Sequence, residues 1–319
     1  MKIIEGNGYK IILSDGFSST RDCVLALGDF DGVHIAHAEL INSALKLKEK
    51  NKISLCGVWC FEENPLKFFI SDAPKQILSN REKFSIFFNM GVDFCVIADF
   101  HKFKDSSPYD FTRHLQNDLG CVGVVCGYNF RFAHDRLGNP QFLREPFGEE
   151  NIVIVDKIEL DGIPVSSTQI RKFISQGDME NTCKFLGKPY YINTTVRSGK
   201  QMGRTISFPT ANQYFPSECI IPKFGVYATV CTTENGKQYI GVSNVGIRPT
   251  IFENDTHSVN CETYIVDFNG DIYGQKLKVE FYKILRLEQK FSSVEELRLA
   301  IDTDAKNAVA YFEAVGGAL

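Results

Sequence analysis

The sequence predicts an α/β protein of two domains: a doubly wound parallel sheet over residues 1–186, then an antiparallel β-barrel with a closing helix over residues 187–319. Three observations predict it. At 319 residues the chain exceeds what one ordinary core organises. Its first part alternates strand-like and helix-like segments, whereas after Gly187-Lys188-Pro189 the segments are short and rich in Val, Ile, Thr, Tyr and Phe. Turn pairs separate those later segments, at Ser198-Gly199, Asn235-Gly236, Asn254-Asp255 and Asn269-Gly270.

The elements follow in order. Val24-Leu25-Ala26-Leu27 is an apolar run stopped by Gly28, the pattern of a strand buried on both faces. Over residues 35–50, Ile35, Ala38, Ile41, Leu45 and Leu47 recur at near-helical spacing. Residues 53–61, 93–98, 122–126 and 152–155 read as further strands, and 80–90 and 107–119 as helices. This βαβα order implies a parallel sheet whose ligands bind at the carboxyl ends of its strands. Residues 294–312 read as the closing helix, with Ser292-Ser293 as caps and Glu295-Glu296 in the first turn, where the helix dipole favours them. Trp59 and the Phe residues of 61–69 read as core, with Phe68 or Phe69 as the alternative lining for a flat ring.

Composition narrows the function. A net charge of −4 argues against nucleic acid or an anionic membrane as the main partner, since polyanions demand clustered Lys and Arg. The ten cysteines are scattered through apolar stretches without a Cys-x-x-Cys pair, as expected of buried thiols in a reducing cytoplasm. Cys56 and Cys60 share one strand face and are not expected to bind metal. The first residues are too polar for a signal peptide, and no apolar run reaches spanning length. Oligomeric state is not readable.

The first chemical segment runs from Gly28 to His37, where a strand meets a helix: Gly28-Asp29-Phe30-Asp31-Gly32-Val33-His34-Ile35-Ala36-His37. Gly28 and Gly32 let backbone approach a ligand, and a helix N-terminus favours an anion. His34 and His37, three apart, share a helix face. Phosphate contact, a metal pair and a surface coincidence all remain open on spacing alone. Ser166-Ser167-Thr168-Gln169-Ile170-Arg171 reads as a helix cap or as a hydroxyl and guanidinium clamp for phosphate.

These two segments resemble the G-x-F-D-G-x-H-x-G-H and S-S-T-x-I-R signatures of the bacterial bifunctional riboflavin kinase/FAD synthetase family. The resemblance implies a nucleotidylyltransferase domain in residues 1–186, in which FMN attacks the α-phosphorus of ATP. It assigns His34 and His37 to catalysis, and Gly28, Phe30, Gly32, Ser166, Thr168 and Arg171 to ATP. Three departures stand out. Ala36 replaces a Gly, Asn64 stands where the family usually has His, and Asn129 and Ala133 stand where it usually has Asp and Gly. Asn64 and Asn129 are then the flavin-side candidates of this module.

The second chemical segment is GKQMGRTISFPTAN, residues 199–212. Gly199 and Gly203 suggest a phosphate-cradling loop with charge from Lys200 and Arg204, or else a plain glycine-rich hairpin. Thr210 and Asn212 alternate along a strand and so face one way. The stretch resembles the flavokinase motif G-x-x-x-G-R-x-x-x-x-P-T-A-N, with further family blocks at residues 225–228, 244–250, 261–268 and 271–274. The resemblance implies a riboflavin kinase domain in residues 187–319, with Mg²⁺-ATP at Thr210 and Asn212 and Glu262 as catalytic base. The expected reactions are ATP-dependent phosphorylation of riboflavin to FMN and adenylylation of FMN to FAD, with riboflavin, FMN and ATP as small-molecule partners, no nucleic acid or membrane, and an oligomer left open. Two alternatives remain: a kinase with a weakened or inactive adenylyltransferase module, motivated by Ala36, Asn64 and Asn129, and a flavin-binding regulator without turnover. His101, His114, His134 and His257 lie outside every motif and receive no role.

Overall fold

A computed structural model describes residues 2–6, 9–14, 20–197, 208–247 and 259–316. The chain divides by its internal contacts into Met1–Ser167 and Thr168–Leu319.

The first unit is built on a seven-stranded sheet of order β1-β2-β5-β4-β3-β6-β7. Its strands are β1 (Lys2–Gly6), β2 (Tyr9–Leu13), β3 (Cys23–Leu27), β4 (Leu55–Phe61), β5 (Phe94–Ala98), β6 (Cys121–Gly127) and β7 (Ile152–Val155). The strands from β3 to β7 run parallel. β1 and β2 form a hairpin that adds antiparallel to β5, an edge the sequence reading did not anticipate. A two-stranded ribbon, β8 (Glu159–Leu160) and β9 (Ile163–Pro164), follows the sheet.

Successive β3 side chains explain why its run is apolar throughout. Val24 and Ala26 enter a core with Leu40, Ile41, Ala44 and Leu47 of α1 (Ile35–Asn51) and Phe87 of α2 (Asn80–Asn89). Cys23, Leu25 and Leu27 enter the opposite core with Trp59, Phe111, Leu115 and Phe132. Cys56 and Cys60 do share one face, the α1 side. Three short helices complete the unit: α3 (Phe100–Phe103), α4 (Pro108–Arg113) and α5 (Arg144–Phe147). The helix read over 107–119 is α4 followed by a π-helical turn at His114–Asp118.

From β3 the chain steps outward through β4 to β5, then returns to lay β6 on the other side of β3. The carboxyl ends of β3 and β6 therefore flank the topological switch point, where a crevice opens in sheets of this kind.

The second unit opens with α6 (Ser167–Gln176, its first residue in the first unit) and α7 (Met179–Leu186). These helices bury Ile170, Phe173, Ile174, Phe185 and Leu186, with Phe173 edge-on to Phe185 at 5.0 Å. The Lys223 N–H donates to the Ile174 carbonyl, so residues 168–186 group by contact with the strands that follow.

Those strands are β10 (Tyr190–Thr195), β11 (Thr210–Tyr214), β12 (Gly225–Thr233), β13 (Gln238–Ile247), β14 (Val259–Ile265) and β15 (Lys276–Arg286). They form an antiparallel sheet of order β10-β15-β12-β13-β14-β11 that curls until its ends meet. Among the described residues they meet at the bridge of Arg197 with Asn212, where the Arg197 N–H donates to the Asn212 carbonyl at 2.8 Å. Buried Gln213 reinforces it: its Nε2 donates to the carbonyls of Thr194 (2.9 Å) and Leu277 (2.7 Å). Tyr190, Tyr227 and Phe281 fill the interior. A hydroxyl chain, Thr229–Ser243–Thr263, crosses it at 2.9 and 2.8 Å.

The closing helix is α8 (Val294–Ala314), capped by Ser293, whose Oγ accepts from the Glu296 N–H. It covers Val226, Ala228, Val230 and Val242 with Ala308 and Phe312. A bidentate pair anchors it: Arg286 donates from Nε and Nη2 to the carboxylate of buried Asp304, at 2.8–3.1 Å. Removing one partner of such a pair leaves the other charge without compensation. Asp304→Ala is expected to cost about 3 kcal/mol in urea denaturation of the full chain. The double variant Asp304→Ala/Arg286→Met should recover part of that loss.

Candidate active sites

The turn from β3 into α1 is an unusual piece of backbone. Phe30 (φ 56°), Gly32 (φ 79°) and Val33 (φ 45°) all lie in the left-handed region. Glycine takes such angles freely, but for Phe and β-branched Val each costs on the order of 1–3 kcal/mol. Two hydrogen bonds on Asp31 hold the turn. Its carboxylate accepts the Ile77 N–H at 2.8 Å, and its carbonyl accepts the Ser167 hydroxyl at 3.0 Å. Phe30 is buried, with its ring edge-on to Phe87 at 5.5 Å. A Cβ on Gly28 would meet the Phe30 ring at 3.0 Å, and one on Gly32 would meet Ile77 at 3.0 Å.

The turn delivers His34 as the N-cap of α1. Its Nδ1 accepts the His37 N–H at 3.2 Å, which in the neutral ring leaves the proton on Nε2. The His34 and His37 rings stack at 3.5 Å and 13°. The N–H groups of Ile35 and Ala36 have no acceptor within the helix, as in any first turn. Two imidazoles, these amides and the helix dipole thus converge at the carboxyl end of β3, a set of donors suited to an anion.

The neighbouring strands end on the same edge. Asn64, just after β4, caps a short 3₁₀ turn (Pro65–Phe68) through an Oδ1 that accepts the Leu66 N–H at 2.9 Å. Asn129 follows β6 and is exposed. Ala133, further along that loop, has φ 66° and ψ −179°, a region that glycine favours and where the related family usually carries one. Phe68 and Phe69 correct the reading of 61–69 as core, being 39% and 68% exposed. They sit on a 3₁₀ turn, and Phe68 stacks on Phe100 at 4.9 Å, making an aromatic shelf where β4 and β5 end. Trp59 is buried as expected.

In the Ser-Ser-Thr run the Ser167 hydroxyl touches the β3–α1 turn, a residue not singled out from the sequence. Ser166 is half-buried beside it in the first unit, whereas Thr168 and Arg171 belong to α6 in the second.

In the second unit Gly199, Lys200, Gly203 and Arg204 lie outside the described residues, as do residues 248–258. The remaining candidates fall together. Asn212 on β11 is directly opposite Glu262 on β14, which is directly opposite Asn244 on β13. Directly paired residues share a face, so an amide, a carboxylate and a second amide form one row. Thr210, two residues before Asn212, shares that face diagonally from Glu262. Phe208 and Tyr264 pack edge-on at 4.9 Å beside it.

Asn212 is 5% exposed, and its Oδ1 has no hydrogen-bond partner among the described residues. A buried carbonyl oxygen left over in this way costs about 1–3 kcal/mol unless something occupies it. With the Thr210 hydroxyl it offers the hard oxygen donors that Mg²⁺ takes, so these residues fit such an ion. Gly246, next along β13, leaves space that the Glu288 carboxylate fills.

Comparison with known proteins gives one family model for each part of the chain. A family model described as FAD synthetase matches residues 17–169, and one described as riboflavin kinase matches residues 186–312. Relatives named bifunctional riboflavin kinase/FMN adenylyltransferase include that of Bacillus subtilis, 33% identical over 91% of this chain and 92% of its own length. That of Haemophilus influenzae is 32% identical over 92% and 95%, and that of Escherichia coli K12 31% over 91% and 93%. A crystal structure named as a macrolide-efflux protein from Streptococcus pneumoniae superimposes with a TM-score of 0.82 at 28% identity, covering 91% of this chain and 95% of that one. Among the described residues of the present chain, no helix is long and apolar enough to cross a membrane. The two family models in this order, and relatives above 30% identity along nearly the whole length, show that the chain belongs to the bifunctional riboflavin kinase/FMN adenylyltransferase family.

Proposed function

We propose that the second unit phosphorylates riboflavin to FMN and that the first unit joins FMN to AMP from ATP, giving FAD and pyrophosphate. The observation that carries the kinase reading is the row of Asn212 and Glu262 with Thr210 beside it. The modules of this proposal are residues 1–186 and 187–319, in a cytoplasmic protein.

In the kinase step the ribityl 5′-hydroxyl of riboflavin is a poor nucleophile. Glu262 takes its proton as the oxygen bonds to the γ-phosphorus of ATP and the bond to the β-phosphate oxygen breaks, releasing ADP. Thr210 and Asn212 would hold Mg²⁺, which supplies neutralising charge for the phosphates. Gly199, Lys200, Gly203 and Arg204 are assigned to the same phosphates by the family motif.

In the adenylyl step a phosphate oxygen of FMN attacks the α-phosphorus and pyrophosphate leaves, with no covalent enzyme intermediate. Catalysis there is positioning and charge stabilisation. His34 and His37 donate to the phosphates, the backbone of Gly28, Phe30 and Gly32 admits the nucleotide, and Ser166, Thr168 and Arg171 are assigned to ATP by resemblance. Asn64 and Asn129, with the Phe68–Phe69 shelf, face the flavin in this reading. The first-turn position of Ala36 adds one methyl to α1 and removes no donor.

The test is a time course of products from riboflavin and Mg²⁺-ATP, separated by chromatography. FMN should rise first and FAD follow, with pyrophosphate. FMN without FAD would reduce the protein to a kinase, and binding without turnover would make it a regulator. Glu262→Ala is expected to lower kinase kcat by about 100-fold or more while ATP binding by calorimetry survives. His37→Ala should lower FAD formation from FMN by on the order of 100-fold and leave riboflavin phosphorylation at the wild-type rate, an internal control in the same chain.

A further inference from the structure

The first residues of β14 contain a polar group that the kinase reading has not used. Asn260 is 3% exposed, and its Nδ2 donates to Oε1 of Glu262 at 2.9 Å. Asparagine is disfavoured in strands, and burying its amide costs free energy unless a partner restores the lost hydrogen bonds. Here the partner is a carboxylate two residues along the same face, so the bond is charge-assisted. Across β13 the residue directly opposite Asn260 is Gly246, and across β11 it is Tyr214. The glycine puts no side chain of its own against the amide, and the Glu288 carboxylate takes the space it leaves.

We infer that Asn260 is a positioning residue for phosphoryl transfer: by holding Oε1 of Glu262 it fixes the plane of the carboxylate and keeps Oε2 as the oxygen that meets the substrate hydroxyl. This rests on the reading of Glu262 as the base. The terminal torsion of a glutamate is broad, so a carboxylate on a strand needs an outside contact to select one orientation. Asn212 and Asn244 flank Glu262 from the adjacent strands. Asn260 is the group whose hydrogen bond to the carboxylate acts along the strand, and it engages Oε1 alone. A proton acceptor misplaced by a fraction of an ångström loses much of its benefit, and the bond sets that placement before substrate arrives.

The test is a double-mutant cycle in the full chain, with kinase kcat and KM measured for riboflavin and Mg²⁺-ATP in wild type, Asn260→Ala, Glu262→Ala and the double variant. Asn260→Ala is expected to lower kcat by about 10- to 100-fold with both KM values within about twofold. In the Glu262→Ala background the same change should have no further effect, because Asn260 acts only through that carboxylate. The isosteric Asn260→Asp, which keeps the packing and replaces the donor by a like charge, should lose at least as much, whereas Asn260→Gln, which keeps the donor, should retain more activity than Asn260→Ala. An unchanged kcat in both Asn260→Ala and Asn260→Asp, or an equal loss with and without Glu262, would overturn the inference and leave Glu262 as the base. Wild-type turnover in Glu262→Ala alone would instead overturn the base assignment, and the role of Asn260 with it.

Discussion

Asp31 is the constraint on which the first unit turns. Its carboxylate takes the Ile77 N–H and its carbonyl takes the Ser167 hydroxyl, so one residue ties the end of β3 to the segment before α2 and to the start of α6. Without those bonds a Phe and a Val would have little reason to stay in left-handed backbone. Each bond contributes roughly 1 kcal/mol net, and burying the Phe30 ring adds about 2–3 kcal/mol, sums of the same size as the strain they offset. The result is directional. Because the backbone reverses within Phe30–Val33, His34 arrives at the cap of α1 with Nδ1 turned to its own helix, and the stacked His37 ring follows.

The second unit obtains its geometry from alternation along one short strand. In β11, Ala211 and Gln213 point into the barrel and Thr210 and Asn212 point the other way. Gln213 staples the seam to β10 and β15, while the backbone carbonyl of Asn212 completes the bridge to Arg197. The structural and chemical work of β11 is therefore divided by parity, and the Asn212 side chain is released from any duty in closing the barrel. Its buried Oδ1, without a hydrogen-bond partner among the described residues, is what remains. A seam of one bridge would leave β11 tied mainly to β14. With Gln213 in place, the pairing that sets Asn212 opposite Glu262 belongs to a closed body.

Much of this was legible in the sequence because burial on both faces leaves unbroken apolar runs, and β3, β4, β6 and β7 lie within a residue or two of where those runs place them. Thr210, Asn212 and Glu262 were readable as a motif, and strand pairing made them neighbours. What escaped notice has particular causes. The β1–β2 hairpin mixes Lys and Glu among its isoleucines, as an edge ribbon does, and so reads as polar. Histidine is not a preferred N-cap residue, so nothing in the sequence foretold that His34 would cap α1 through its ring. Ser167 looked interchangeable with its neighbours, because only tertiary structure brings the Asp31 carbonyl to it. Phe68 and Phe69 looked like core because apolar residues usually are, but the Asn64-Pro65 start of a 3₁₀ turn sets them outward. Helices α6 and α7 carry apolar faces whose partner no local pattern could name.

Backbone strain gives an independent indication of where the first unit does its chemistry. Nine non-glycine residues among those described have positive φ. Lys52 closes a helix, Asp161 turns a two-residue hairpin, and Asp22 before β3 and Asp267 after β14 are single aspartates, a residue type that takes such angles more readily. Phe30, Val33, Ala133, Asp135 and Arg136 are different: all lie in the loops that follow β3 and β6. Those are the strands whose carboxyl ends flank the switch point, where topology alone opens a crevice. Strained loops persist only where the surrounding structure over-determines them, and a fold has no mechanical need to gather them at one edge of a sheet. Their gathering here follows if those loops are shaped to present backbone and ring donors to a bound nucleotide. Val33 and Arg136 spend their own N–H groups within the turns, on the carbonyls of Phe30 and Ala133, so the strain acts by setting the course of the loops and, after β3, by delivering the stacked rings of His34 and His37.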